Sequence, residues 1–516
     1  MAEARVQRAL RQKAKCSNLT ARYWFIESML PIVDLARSVD EVSKPIERKG
    51  DTTMNGSPHP SRAERREQGR LLRQNCSRAL HAQWKPRSRT HDPIELLDKS
   101  NADRIPGLIR IRYGRMSQSP FAFFRGTAVI QARDLAASPV SGIIVQACGD
   151  CHLMNFGGFA TPERSLVFDI NDFDETFPAP WEWDIKRLVA SFVVAARYLT
   201  FSEAAAEKAV RAALASYRER ISEYAESKTL DMWYTQIHIK DLLESFKKDS
   251  DFVARLNKAA RKAHSRSSEA VFPKLTEIVD GRRRIADNPP LLYHFQQTRD
   301  RDWDKQYQGF IRLYEESLQA DRRVLLDRYR PEDVAVKVVG VGSVGTRCFV
   351  CLYLADDDDP LFLQAKEARR SVLETPKGRS RYAHQGERVV SGQRLIQAAS
   401  DIFLGWLRVP DGREYYVRQL RDMKVAAEIE TFRPQTLASY AAMCGWALAR
   451  AHAKAGDAAM IAGYLGKSDR VDDALALYAK AYADQVERDF AAFNKAIRSG
   501  HLKTDTGEAG GLEFLL

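Results

Sequence analysis

The sequence has little cysteine and no long hydrophobic run. No stretch of about eighteen consecutive apolar residues occurs, which is the length that a membrane-spanning helix requires. The apolar segment 23–35 is interrupted by Glu27 and Asp34, so it resembles neither a transmembrane helix nor the apolar centre of a secretory signal peptide. We therefore expect a cytoplasmic protein without a membrane span.

Seven cysteines in 516 residues are too few and too unevenly spaced for a disulfide framework, and their odd number leaves at least one unpaired. A reducing compartment is therefore expected. Two C-x-x-C pairs occur, at Cys148 and Cys151 and at Cys348 and Cys351. Nearly two hundred residues separate them, whereas the two halves of a zinc ribbon lie roughly fifteen to twenty residues apart. The spacing argues against a zinc site.

Lysine and arginine are concentrated at the start of the chain. Residues 1–90 contain 19 Lys and Arg against 9 Asp and Glu, a net charge of +10 out of +12 for the whole chain. Such an arm can bind nucleic acid or an anionic surface, but stretches such as SRAERREQGRLLRQ are equally typical of solvated helix faces or of disorder. We predict a basic, partly disordered extension over 1–90, with nucleic acid as a less favoured partner.

The rest of the chain divides into three regions. An apolar content of 44% is typical of a globular protein and excludes a disordered or fibrous one. Residues 91–330 mix helix with short strands and then become helical in period, residues 331–425 contain strand patterns such as VAVKVVG and TRCFVCLYL, and residues 426–516 return to helix. The pattern predicts an α+β fold with a helical lobe, a strand-rich lobe and closing helices packed on the helical lobe.

Acidic residues cluster in three consecutive segments, which read SGIIVQACGDCHLMNFGGF, RSLVFDINDFDETF and PAPWEWDIKRLVASF. The Asp and Asn residues singled out in them are Asp150, Asn155, Asp169, Asp172, Asp174 and Asp184. Phosphoryl transfer needs such a set, because one carboxylate orients the attacking hydroxyl and accepts its proton while Asn and Asp oxygens hold Mg²⁺. Taken alone, Asp150 is equally typical of a turn and Asp184 of a helix N-cap.

These segments resemble motifs of the aminoglycoside phosphotransferase and choline kinase group. CGDCHLMNFG is similar to that group's catalytic loop, H-G-D-x-H-x-x-N, INDFDE to its metal-binding I-D-F-D segment, and WEWDIKRL to the D-L-A-R-L helix that follows. The resemblance implies that Asp150 is the base or hydroxyl-orienting group and that Asn155 and Asp172 bind Mg²⁺. It also implies that Asp184 braces the catalytic loop.

Some positions depart from that pattern or leave a choice. Cys148 replaces the first histidine, and Asp169 competes with Asp172 for the metal. Asp172 is favoured because it directly precedes Phe173, as in the group's motif. His152 can ligate a metal or act as a base, but the histidine at this place in the group is chiefly architectural, so we expect it to brace the loop.

A second motif, VVGVGSVGTRCFVCLYL, places Gly340, Gly342 and Gly345 in a G-x-G-x-x-G arrangement after a strand. A dinucleotide site requires a helix directly after the glycines, whereas TRCFVCLYL is rich in β-branched and aromatic residues and predicts a strand. The pattern of strand, glycine turn and strand favours a kinase-like loop whose backbone N–H groups cover phosphates. A structural hairpin without a ligand remains the alternative.

A kinase-like hairpin predicts a lysine on the next strand and a glutamate on the following helix. LFLQAKEA supplies Lys366, and HQGERVVSGQRLIQAASDIF supplies Glu387 near the start of a helical pattern. In these roles Lys366 contacts the α- and β-phosphates and Glu387 holds it in place. A solvated lysine and an ordinary surface glutamate are the alternatives.

The segments occur in the wrong order for an ordinary kinase, because the catalytic-loop segment precedes the glycine motif. A circular permutation explains this order, since YAAMCGWALARAHAKAG resembles the helix that normally precedes the catalytic loop. The layout from Arg87 to Ala492 resembles the DUF2252 family of bacterial proteins, which is grouped with kinase-like folds. The resemblance implies a two-lobe, protein-kinase-like fold in permuted order.

The expected activity is Mg²⁺-dependent transfer of a phosphoryl group from ATP to an acceptor. A small-molecule acceptor is favoured, because the motifs resemble small-molecule kinases more than protein kinases. Three alternatives stay open: a nucleotide-binding pseudokinase or regulatory module, a nucleic-acid-associated protein acting through residues 1–90, and adenylyl transfer in place of phosphoryl transfer.

Overall fold

The computed structural model describes residues 60–505 apart from 87–88, 265–267, 290, 295–300, 339, 357–358 and 421–422. From Ser61 onward the chain forms one compact unit. Its mixture of helices and strands confirms the predicted α+β composition. The prediction of a basic extension falls, over residues 1–59, outside the described part of the chain.

The strands in the described residues pair in antiparallel fashion into three small sheets and one larger sheet. In chain order they are β1 (Ile144–Ala147), β2 (Phe156–Ala160), β3 (Leu166–Ile170), β4 (Phe177–Pro180), β5 (Thr276–Val279), β6 (Arg282–Ile285), β7 (Leu292–Tyr293), β8 (Arg330–Lys337), β9 (Cys348–Leu354), β10 (Pro360–Glu367), β11 (Gly405–Arg408), β12 (Glu414–Gln419) and β13 (Val425–Ala426).

The α-helices of the same residues lie mainly before β5 and after β13. They are α1 (Arg62–Leu71), α2 (Pro93–Lys99), α3 (Pro106–Met116), α4 (Pro120–Gly126), α5 (Ala128–Ala136), α6 (Trp181–Tyr198), α7 (Glu203–Glu226), α8 (Thr229–Tyr234), α9 (Ile239–Ser245), α10 (Ser250–His264), α11 (Ser268–Leu275), α12 (Arg301–Glu315), α13 (Ala320–Leu326), α14 (Glu374–Lys377), α15 (Gln385–Ile396), α16 (Pro434–Ala455), α17 (Ala458–Leu465) and α18 (Arg470–Arg498).

The larger sheet has six strands in the order β11-β12-β10-β9-β8-β7. Because side chains alternate between the faces of a strand, Leu361 and Leu363 of β10 pack in one apolar cluster and Phe362 packs in another on the opposite face. Both clusters bury aliphatic and aromatic side chains, so the sheet is covered on both faces. Lys366 lies near the end of β10, opposite Cys348 of β9 and Tyr416 of β12.

Helix α6 is the centre of the helical region, because every residue from Trp181 to Ala196 is buried. A helix buried on all sides belongs to the core. It nevertheless carries Glu182, Asp184, Lys186 and Arg187, and such charges stay buried only when they are paired or hydrogen-bonded. Their partners lie in the loops before and after β1 and in the helices packed around α6, so α6 links the core to those loops.

The compact unit includes the segment 61–90, which the sequence assigns to the basic extension. Helix α1 packs against α17, where Arg73 Nε donates to the Tyr464 carbonyl at 2.9 Å and Arg78 Nη1 donates to the Leu465 carbonyl at 2.8 Å. Cations stabilise the C-terminal end of a helix in this way. The compact unit therefore includes residues 61–90 as well, and these two arginines serve the fold.

None of the helices in the described residues is both long and apolar enough to cross a bilayer.

We predict that Gly445→Ala destabilises the protein. Gly445 lies where α16 packs on α7, and a Cβ there would be 2.1 Å from the Ala213 carbonyl oxygen, which forces the helices apart at a cost of roughly 1–3 kcal/mol. Gly309→Ala is the matched control, because a Cβ at this helical position meets nothing within 4 Å, and helix propensity favours alanine by about 1 kcal/mol. Urea unfolding of both variants checks this; equal stability of Gly445→Ala and wild type would contradict the close packing.

Candidate active-site cavity

The loops around β1, β2 and β3 bring the predicted acidic residues together. Strand β1 pairs with β4, and β2 pairs with β3, so the residues after β1, before β2 and after β3 converge. Asp150, Asn155 and Asp172 line one cavity of about 910 Å³, together with Lys366. A volume of this size lies at the upper end of that of ordinary ligand pockets.

Asp184 holds the loop that carries Asp150. Its carboxylate accepts hydrogen bonds from the backbone N–H groups of Cys148 at 2.8 Å and Gly149 at 3.0 Å. Gly149 has φ +90° and approaches the Glu175 carbonyl so closely that a Cβ would lie 2.3 Å from its oxygen. Only glycine adopts this conformation there without strain. Asp184 thus lies where the resemblance places a structural brace.

Arg187, on the same helix, fixes the Asp150 carboxylate. Its Nε donates to Asp150 Oδ1 at 2.8 Å, while its other nitrogens donate to Gln131 Oε1 and the Phe124 carbonyl, each at 2.8 Å. Burial raises the pKa of the Asp150 carboxyl above its ordinary value, and Arg187 opposes that shift. The sequence analysis assigned no role to Arg187, although WEWDIKRL contains it one helical turn after Asp184.

His152 is held neutral beside this carboxylate. Burial, followed by the charges of Arg187 and Arg125, keeps the pKa of His152 well below its usual range. Its Nδ1 accepts a hydrogen bond from the Met154 N–H at 3.2 Å, and its Nε2 lies 3.8 Å from Asp150 Oδ2. A buried neutral imidazole bonded to its own loop fits the architectural role that the resemblance implies.

The carboxylates of Asp172 and Asp174 lie close to the ammonium group of Lys366 in the cavity. Lys366 Nζ pairs directly with Asp174 Oδ2 and lies 4.0 Å from Asp172 Oδ2, and Tyr416 donates its hydroxyl to Asp174 Oδ1 at 2.6 Å. Burial and the neighbouring Asp174 raise the pKa of Asp172. Burial alone would raise the pKa of Asp174 as well, but Lys366 and Tyr416 hold it below its ordinary value. Asp174, to which the sequence analysis gave no separate role, is therefore the main partner of Lys366.

Asn155 lines the same cavity as Asp150 and Asp172. Its Nδ2 donates to the Asp150 carbonyl at 2.7 Å, which sets the orientation of the side-chain amide. Among the described residues no donor is bonded to Asn155 Oδ1, the atom that ligates cations. Asn155 and Asp172 thus offer oxygen atoms in one cavity.

Asp169 does not reach the cavity. Its carboxylate is fully buried and accepts from Arg450 Nη2 at 2.8 and 2.9 Å and from the Ala398 N–H at 2.9 Å. Side chains alternate along β3, and this one points into the core. Of the two residues predicted to bind the metal, Asp172 lines the cavity and Asp169 does not. This position corrects the prediction that Asp169 binds a metal.

Glu387 is the other departure from the predicted site. It lies in the first turn of α15, where its N–H is bonded to His384, and among the described residues its carboxylate makes no contact with Lys366. The neighbouring Arg388 instead reaches the loop after β3, donating to the carbonyls of Asp174 at 2.9 Å and Thr176 at 2.6 Å. Helix α15 therefore supports the loop through an arginine.

The glycine segment lies between β8 and β9, as the strand–turn–strand pattern predicts. Gly340 and Gly342 line the cavity, and Ser343 Oγ lies 3.5 Å from Asp174 Oδ2. Gly345 has φ +88° and packs on the side chain of Arg104. Its carbonyl accepts from the Ile105 N–H at 2.8 Å. This contact joins the six-stranded sheet to the helical region at the cavity.

Glu175 also lines the cavity and was missed by the sequence analysis. Its Oε2 accepts from the Val372 N–H at 2.7 Å. Burial raises the pKa of this carboxyl to about 7, which the Val372 N–H and Arg388 partly offset. A carboxyl whose pKa is raised to about 7 thus lies near Asp150. Its position next to the INDFD segment was the only signal for it in the sequence.

Cys148 and Cys151 lie with Asp184 such that their ligand atoms are all within 4.8 Å of one another. Both oxygens of Asp184 already accept backbone N–H groups, and burial raises the pKa of both thiols. Since metal ligation requires the thiolate, this group is better suited to packing behind the loop. The long separation of the two C-x-x-C pairs argues against zinc. The occupied Asp184 oxygens and the raised thiol pKa values are an independent reason.

Comparison with known proteins gives one match. A family model described as "Uncharacterized protein conserved in bacteria (DUF2252)" matches residues 104–496. That range contains every cavity residue named above. Neither the curated proteins nor the solved structures contain a match to the chain.

We predict different stability effects for substitutions at Asp169 and at Asp172. Asp169→Asn leaves the Arg450 charge buried without its counter-ion, which costs roughly 3–5 kcal/mol. Asp172→Asn removes a carboxylate whose raised pKa means that its ionised form opposes folding at neutral pH, so stability should stay equal or rise. Urea unfolding at pH 7 checks both; a stable Asp169→Asn protein would contradict the structural role of Asp169.

Proposed function

This chain belongs to the DUF2252 family, and we propose that it is a Mg²⁺- and ATP-dependent phosphotransferase. The observation that carries the proposal is that Asp150, Asn155 and Asp172 line one cavity with Lys366, which lies nearly two hundred residues further along the chain, under the glycine segment. Phosphoryl transfer depends on positioning and charge rather than on covalent chemistry by the protein. A carboxylate, two oxygen ligands and a lysine in one cavity meet that requirement.

The arrangement of the elements supports a kinase-like, two-lobe fold in permuted chain order. The sheet that carries the glycine segment and Lys366 follows the loop 148–155 in sequence, yet both line the same cavity. Helix α16, which resembles the helix that precedes the catalytic loop in kinases, packs beside β1, and its His452 Nε2 lies 3.2 Å from Asp184 Oδ2. A permutation would leave these spatial relations unchanged.

Asn155 and Asp172 would hold the metal ion. The fit rests on Asn155 Oδ1, which lacks a donor among the described residues, and on Asp172, whose pKa is raised by burial and by Asp174. A cation bound there would relieve the repulsion between the carboxylates of Asp172 and Asp174. Bound Mg²⁺ supplies charge neutralisation at the phosphate oxygens of the nucleotide.

Lys366 and the glycine segment would bind the phosphates. Asp172 and Asp174 raise the pKa of Lys366 despite its burial, so it stays charged at neutral pH. The backbone N–H groups of a glycine-rich turn can approach phosphate closely because no side chain intervenes. Together they supply donors and positive charge on one side of the cavity.

Asp150 would orient the acceptor hydroxyl and take its proton. Burial raises its pKa while Arg187 opposes the shift, and a raised pKa strengthens the ionised carboxylate as a base. Arg187 is a positioning residue, because it holds Oδ1 and leaves Oδ2 for the acceptor. His152 stays neutral and does not compete for the proton.

We predict Mg²⁺-dependent binding of a non-hydrolysable ATP analogue. Isothermal titration calorimetry should give a measurable Kd with Mg²⁺ and a much weaker one without it. Asp172→Ala should abolish the Mg²⁺ effect, and Lys366→Met should weaken binding by roughly tenfold or more, since a charge-assisted hydrogen bond contributes about 1.5–3 kcal/mol.

Asp321→Ala is the matched control for Asp172→Ala, because it removes a well exposed carboxylate on α13. It should bind the analogue like the wild type. If the wild type binds no nucleotide at millimolar concentration, the phosphotransferase proposal is wrong.

We predict that Asp150→Asn lowers turnover by roughly 10²–10⁴-fold while the affinity for the ATP analogue stays unchanged. Because the ionised carboxylate is the active form, the rate should rise with pH through an apparent pKa above that of an ordinary aspartate. Turnover of ATP in the presence of acceptor, or basal ATP hydrolysis, gives the measurement.

Glu175→Gln tests the assignment within the same cavity. It should keep the pH profile of the wild type if Asp150 is the base. A rate limb that disappears in Glu175→Gln but persists in Asp150→Asn would assign the base to Glu175. Binding without any turnover in the wild type would favour the pseudokinase alternative.

A further inference from the structure

Among the arginines that line the cavity, Arg104, Arg112 and Arg369 lie close enough for their charges to act on one another. The cations that act most strongly on Asp172 and Asp174 are Lys366 and Arg418, not these three. The cavity therefore has a second concentration of positive charge.

Arg104 and Arg369 share one neutral acceptor. Arg104 Nε lies 3.4 Å from the Ser100 carbonyl oxygen, and both terminal nitrogens of Arg369 lie 3.1 Å from the same atom. In the described residues the one carboxylate paired with Arg369 belongs to Asp103, at 3.4 Å and on a side chain that is 80% exposed. Water screens such a pair strongly. Glu175 and Glu367 raise the pKa of Arg104, but burial and the charges of Arg112 and Arg369 lower it by more.

Arg112 completes the group from within the core. It is 2% exposed, and its nitrogens donate to Asn101 Oδ1 at 2.6 Å and to the Gly126 carbonyl at 2.7 Å. Its Nε has no partner among the described residues. Burial lowers the pKa of Arg112 to about 10, and the charge of Arg369 adds to that shift. A buried charge with only neutral partners is costly unless an anion compensates it.

The glycine segment fixes the position of this group. Arg104 Nη1 donates to the Val344 carbonyl at 2.5 Å, and the side chain of Arg104 packs on Gly345. Burial and the charges of Arg112 and Arg369 hold the pKa of Arg104 well below its usual range. The positive charges of the three guanidinium groups thus repel one another, while hydrogen bonds and packing keep the side chains in place.

We propose that Arg104, Arg112 and Arg369 form a subsite for an anionic group of the acceptor, a phosphate or a carboxylate. This inference rests on the proposed function, since it names the substrate class of the same cavity. Guanidinium groups bind both anions through charge-assisted hydrogen bonds. The acceptor would then carry a hydroxyl directed to Asp150 and an anionic group held by the arginines.

Inorganic phosphate is the probe, titrated calorimetrically into the full-length protein without nucleotide or Mg²⁺. The wild type should bind phosphate, and Arg104→Gln and Arg369→Gln should each bind it about tenfold more weakly, a difference of about 1.4 kcal/mol. Arg323→Gln, which removes an exposed arginine of α13, should bind like the wild type. Thermal unfolding confirms that each variant is folded.

A second titration is made with the protein saturated by the Mg²⁺ complex of the ATP analogue. Unchanged phosphate affinity assigns the subsite to the acceptor, whereas competitive displacement assigns the arginines to the nucleotide and overturns the inference. Absence of phosphate binding by the wild type at millimolar concentration also overturns it. Phosphate binding without nucleotide binding would instead contradict the phosphotransferase proposal and leave an anion site.

Discussion

The cavity depends on the hydrogen bonds that the buried Asp184 carboxylate accepts from the backbone of Cys148 and Gly149. They attach the loop after β1 to the buried helix α6, so Asp150 on this loop is held in a fixed position by the core. A carboxylate near a helix N-terminus is also stabilised by the helix dipole. His452 approaches the same carboxylate from α16, and one interaction therefore joins the loop to two core helices.

Buried arginines hold this loop and the neighbouring segments in place as well. Arg187 holds the Asp150 carboxylate, Arg388 holds the backbone after β3, and Arg450 pairs with Asp169 behind that strand. A planar guanidinium can serve several acceptors at fixed angles, which suits it to cross-linking loops. Arg104, Arg112 and Arg369 also have mainly neutral acceptors, but they line the cavity, which is why we propose that they bind an anion.

Specific contacts join the six-stranded sheet to the helical region at the cavity. Lys366 on the six-stranded sheet pairs with Asp174 on the loop after β3, and Arg104 bonds to the glycine segment. Ligand binding at either place would change the charge balance of both regions. The cavity is therefore the place where the packing of the sheet against the helical region and the proposed chemistry are coupled.

The sequence by itself determined the family, the α+β composition and the motifs that carry Asp150, Asn155, Asp172 and Lys366, because local patterns reflect turn chemistry and strand period. Only the tertiary structure decided which charges meet. Asp169 and Asp172 are three residues apart, yet one pairs with Arg450 in the core and the other lines the cavity. Glu387 and Arg388 are adjacent, and the arginine reaches the loop. Ion pairing depends on the direction in which each side chain points and on partners that can lie hundreds of residues away. The spacing of residues in one sequence gives no information about either.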